Sequence, residues 1–199
     1  MNKFDFYKEL YFQEISRKDK LDNSVSTPIT IISAVIASIY FLISNFEFNI
    51  EIILSVVFLV LMGLTILFLI ISIIQLLILY NNLSSGHKYS YFPFVTDLDK
   101  YDSDLQRYYE EIGEDKNLEH LEYQNYLKSN TIKHVDFNTV TNDSRSLTLY
   151  KSKRNILFTL LFLFLSLIPF GINYINKPEK IKKIELINST NSLDTDNIH

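Results

Sequence analysis

The sequence predicts an all-α membrane protein with three transmembrane helices and a small, mainly helical segment in water between the second and third. Three observations carry this. Hydrophobic residues are 47% of the chain and are gathered into three blocks. The middle block carries no charge across residues 52–80, where roughly 20 apolar residues suffice to cross a hydrocarbon core. Between the second and third blocks lies a tyrosine-rich stretch whose apolar residues recur at helical spacing.

The first span is read at 28–44, inside a stretch with no charged residue between Asp22 and Glu47. Pro28 suits a first helical turn, where its missing N–H is not needed, and Ser26 or Thr27 before it is a fitting N-cap. Small residues Ser33, Ala34, Ala37 and Ser38 lie on this span. Ala34 and Ser38 are four apart and permit close helix approach, within the hairpin or between subunits. The second span, 52–80, would reach about 43 Å as a helix and must tilt or project from the bilayer. No soluble core could hide so long an uncharged helix on every face. The third span, 156–172, is near the lower length limit, with Pro169 and Gly171 at its end.

The short connection 45–51 makes the first two spans an antiparallel hairpin. Arg17, Lys18 and Lys20 precede span one, and the connection holds no Lys or Arg. The positive-inside rule then places the N-terminus and residues 81–153 in the cytoplasm, at a bacterial inner membrane. Lys177, Lys180, Lys182 and Lys183 after span three disagree locally with this orientation. Asp5, Glu9, Glu14 and Asp19 ahead of the first apolar run fit a non-cleaved anchor better than a secretory signal.

The polar parts divide as 1–26, an amphipathic helix; 81–153, the cytosolic segment; and 175–199, a polar tail, around the membrane hairpin 27–80 and the third span 154–174. In the first, Phe4, Tyr7, Tyr11 and Ile15 recur at helical spacing. That helix either lies on the inner leaflet or packs on the middle segment. In the middle segment a loop over 81–94 precedes a helix starting near Thr96, with an apolar seam of Leu98, Tyr101, Leu105, Tyr108 and Ile112 and Gly113 as its C-cap. A second helix begins at 115–117 and forms a hairpin with the first. Residues 131–140 have strand propensity in their Thr, Val and Ile. Yet no strong turn signal separates Leu118 from Arg154, so the preferred reading is one helix running into span three.

Several chemistries find no support. There is no cysteine, and only four glycines, too scattered for a phosphate loop. His87, His120, His134 and His199 lack metal-ligand spacing. Asp97, Asp99, Asp102 and Asp104 lack the glycine and glutamate of an EF-hand loop and read as an acidic first turn. A net charge of −4 calls for no nucleic acid polymer. No catalytic motif or cofactor is expected, and the spans hold no ionisable side chain except tyrosine.

One polar face stands out. His134, Asn138, Asn142 and Arg145 are spaced four, four and three apart and share a helix face. The face is either ordinary solvated surface or a site for an anion, a nucleotide second messenger or an acidic protein partner, with Arg145 as a bidentate fork.

The N-terminal helix ending in Arg17-Lys18-Asp19-Lys20, the short hairpin after it and the Asn142-Asp143-Ser144-Arg145 stretch ahead of span three give a layout that resembles the small multi-pass effectors of bacterial anti-phage signalling systems. The resemblance covers most of the chain as layout, and the third span departs from the two-span members of that group. It implies a membrane effector that, on a signal, forms a homo-oligomer and permeabilises the lipid bilayer. A non-enzymatic regulatory or anchoring subunit is the alternative.

Overall fold

The computed structural model describes residues 3–49, 51–80, 88–113 and 116–176. His87, His199, residues 81–87 of the expected loop and residues 177–199 of the expected tail, with its lysines, lie outside them. Five helices follow in order: α1 Lys3–Asn23, α2 Ser26–Asn45, α3 Ile52–Tyr80, α4 Val95–Ile112 and α5 Lys116–Ile175. Three stretches, within α1–α2, α3 and α5, are long and apolar enough to cross a membrane.

The expected N-cap at Ser26 or Thr27 is not there. Val25 holds the cap position in helical geometry and makes no side-chain cap bond. The reason is that the chain hardly leaves its helical path. Ser24 N bonds Lys20 O at 3.0 Å and Ile29 N bonds Val25 O at 3.2 Å, so the first turn of α2 has few orphan donors to cap. Pro28, buried in that turn, cannot donate to Ser24 O, which fits a break at this point.

Helix α5 settles the ambiguity at 131–140. It is one helix of 60 residues, through both the polar stretch and the third apolar block. It runs past Pro169 and Gly171 to Ile175, slightly beyond the span read at 156–172. At 1.5 Å per residue it is about 90 Å long.

Burial follows a repeat of seven in all three long segments. On α3 the buried residues are Ser55, Phe58, Met62, Thr65, Leu69, Ser72, Leu76 and Leu79, alternating by three and four. On α1–α2 the same alternation runs from Phe4 through Tyr11, Leu21, Val25, Ile32 and Leu42 to Phe46. On α5 it runs from Thr131 to Asn173. A period of 3.5 is the seam of helices that wrap around one another left-handedly. Helix α5 is the shared member. It is antiparallel to α3, with Ser72 facing Ser152, and parallel to α1–α2, since Arg17 meets Asp143 and Glu47 meets Asn173 at the same sequence offset. The stacked rings of Phe46 and Phe58, 4.0 Å apart, close the bundle at the hairpin end.

Candidate functional site

The four residues of the polar face do share one face of α5, and that face is covered. Helix α1 lies along one side, and residues 88–92 cross the other. Asn138 forms two hydrogen bonds with the Ser90 backbone: Ser90 N donates to its Oδ1 at 2.8 Å, and its Nδ2 donates to Ser90 O at 2.9 Å. The Ser90 hydroxyl pairs with His134 Nδ1 at 2.6 Å. Asn142 accepts from the Tyr89 hydroxyl at 2.6 Å and donates to both the backbone O and Oε2 of Glu14 at 2.8 Å. A chain segment outside regular structure thus gains backbone partners that it would otherwise lack when buried.

Arg145 closes the ladder. Its Nη1 donates to the Tyr89 hydroxyl at 2.7 Å and its Nη2 to Asp22 at 2.5 Å, with Leu79 O at 3.4 Å. Only 4% of its side chain is exposed. Burial opposes its charge, and the bonds to Asp22 and Tyr89 outweigh that opposition, so its pKa is raised. The guanidinium also lies 5.7 Å from the Tyr89 ring centre, with Lys18 at 5.6 Å. The fork foreseen for an external anion is therefore engaged by an anion from α1. Arg17 adds a pair with Asp143 at 2.6 Å. One cluster thus ties together α1, the end of α3, the crossing segment and α5. Helix α1 is packed on the middle segment, the second of its two expected roles.

Tyr11 and Phe92 pack around the His134 ring, and its Nε2, like Arg145 Nε, is buried without a partner among the described residues. Burial, and then the charge of Lys133, holds its pKa below the usual value.

Within the apolar stretches of α3 and α5 the Ser, Thr and Asn side chains face inward. Ser72 and Ser152 hydroxyls meet at 2.9 Å, and Asn155 donates to Gln75 at 2.9 Å. Thr65 and Thr159 bond carbonyls of their own helices. Asn173 brackets Glu47, accepting from its N–H and donating to its carbonyl. Hence every seventh residue of α5 from Thr131 to Asn173 is polar and buried: Thr131, Asn138, Arg145, Ser152, Thr159, Ser166 and Asn173. The outward faces are largely apolar, with Thr30, Ser33 and Ser44 of α2 exposed among them. Ala34 is exposed there, while Ser38 is half-buried at a groove of about 890 Å³ between α2 and α5, whose walls include Ala37, Phe41, Leu160 and Phe164.

Far from these contacts, α4 folds back on the start of α5. Gly113 ends α4 in left-handed geometry, φ 70°, as its position predicted. Leu105 is buried, Tyr101 stacks on Tyr126 at 4.2 Å, and the Tyr109 hydroxyl donates to Glu122 at 2.7 Å. The expected seam holds through Leu105 and then opens: Tyr108 is 56% and Ile112 49% exposed. Burial and then Asp102 and Asp99 raise the Tyr123 pKa, a local sign of negative potential.

These features define a class: an all-helical chain with three helices able to span a bilayer, bundled around one long helix that continues into a polar hairpin. No known protein family, curated protein or solved structure matches it.

Proposed function

We propose that the chain is a non-enzymatic membrane effector. A cytoplasmic hairpin receives a signal, α5 carries it into the bilayer, and the spans of several copies assemble to permeabilise the inner membrane. The unbroken 60-residue α5 is the observation that carries this reading. A rigid helix shared by hairpin and bundle transmits a shift at one end to the other, and the polar cluster at Arg145 is the joint it must pass. The defence context rests on the layout resemblance. Contact between copies is assigned to the outward Ala34 and the groove beside Ser38. The test is induced expression with a membrane-potential dye. Depolarisation that Ala34→Leu and Ser38→Leu abolish, with insertion intact, supports the effector.

A second reading has its own observation. Polar groups of α3 and α5 pair inside the bundle, so one copy offers lipid a largely apolar surface. That favours an anchoring or regulatory subunit. Unchanged membrane potential on expression selects it.

A further inference from the structure

The hairpin is where the chain's charge is concentrated. Residues 95–128 carry ten acidic and four basic side chains, a net −6 in a chain of −4, so the remainder is slightly basic. Arg107 pairs with Asp104 at 3.0 Å, while Asp97, Asp99, Glu110 and Glu111 form no ion pair with a described residue. On α4 the apolar stripe is closed by α5 only as far as Leu105. Tyr108 and Ile112 continue it uncovered. Asp104 and Glu111, four before and three after Tyr108, lie on that same side of the helix.

We propose that this open end of α4 is the docking surface for a protein partner presenting a basic, amphipathic helix. Tyr108 and Ile112 take its apolar stripe, and the flanking carboxylates take its Lys or Arg residues. Charge decides the occupant. A second copy would bring −6 against −6 at separations within the Debye length of about 8 Å. An anionic leaflet is repelled as well. It is also distant: along α5, Lys116 lies about 60 Å from the start of the third apolar block. A helix with a basic rim and an apolar stripe meets both the exposed rings and the unpaired acids.

The inference rests on the reading that the hairpin receives a partner, and its test is independent of any membrane leak. The full chain is placed in nanodiscs of neutral lipid. The probe is a fluorescent helical peptide with Leu at heptad a and d positions and Lys elsewhere; a peptide with Glu in place of Lys is the control. The Lys peptide is expected to bind saturably and more weakly at high salt. Binding should fall about tenfold in Tyr108→Ser/Ile112→Ser and in Glu110→Lys/Glu111→Lys. These side chains lie outside the closed seam, so helix content should be unchanged. The proposal is overturned if the Lys peptide does not bind, if both peptides bind alike, or if the Tyr108→Ser/Ile112→Ser variant binds normally, which reduces the contact to unspecific charge. It is also overturned if light scattering finds the hairpin substitutions converting dimers to monomers, which gives the surface to a second copy.

Discussion

Arg145 is buried while its partner Asp22 keeps 43% of its side chain exposed, and this asymmetry decides what each substitution does. Arg145→Met leaves a carboxylate that water can solvate. Asp22→Ala leaves a buried guanidinium short of its counter-charge. The second should be the more damaging, by about 3 kcal/mol against about 1 kcal/mol for the first. Thermal unfolding of the two variants in the same detergent would check the order. His134 gives the pH dependence. Its pKa is lowered in the fold, so the neutral ring is the stabilising form. Its contribution is complete above about pH 6.5 and is lost as pH falls through the lower folded value. The protection of residues 88–92 against hydrogen exchange, relative to the intrinsic rate at each pH, should therefore fall on acidification, and His134→Gln should flatten that response. Both residues were visible in the sequence as members of one helix face. Their partners were not, because Ser90 lies 44 positions from His134 and Asp22 lies 123 from Arg145, and pattern reading reaches only local neighbours.

At the scale of elements, the apolar stripes were legible where they are apolar: 52–80 matches α3, and Gly113 ends α4. The seam of α5 was missed because half of its positions are Asn, Arg, Ser and Thr. The sequence reading took His134, Asn138, Asn142 and Arg145 as either solvated surface or a ligand site, whereas alternating steps of three and four from Thr131 to Asn173 mark a packed seam regardless of polarity. The Ser72–Ser152 contact provides a direct check of register. In this cysteine-free chain, Ser72→Cys/Ser152→Cys should form a disulfide under mild oxidation, and Ala34→Cys/Ser152→Cys should not. Small size matters more than the hydroxyl there. Ser152→Ala should cost under about 1 kcal/mol, and Ser152→Leu, which forces α3 and α5 apart, about 1–3 kcal/mol by thermal unfolding.

At the scale of the molecule, three apolar blocks gave the number of long apolar helices, and charge flanking them gave an orientation for experiment. A reporter fused after Ser129 should be active as a cytoplasmic reporter and silent as a periplasmic one; the reverse would invert the proposed topology. The hairpin should be separable from the bundle. Leu105→Asp puts a charge into its closed seam and should make α4 sensitive to protease, while the α3–α5 disulfide of the double cysteine variant still forms. Neither the closure of the polar face nor the parallel run of α1–α2 along α5 could be read from the sequence, since both depend on which helices meet.

That arrangement has a consequence for biosynthesis. Helices α2 and α3 touch each other little, and each packs more on α5, which is made after both. A nascent chain carrying only the first hairpin lacks the surface that holds it together. At synthesis rates of about 5–20 residues per second, the roughly hundred residues from the end of α3 to the end of α5 take about 5–20 seconds. During that interval Asp22 and Glu14 are without Arg145 and Asn142, and Ser72 is without Ser152. The bundle of described spans is thus completed by α5, and a chain truncated before α5 should be cleared by quality-control proteases, whereas the full chain persists.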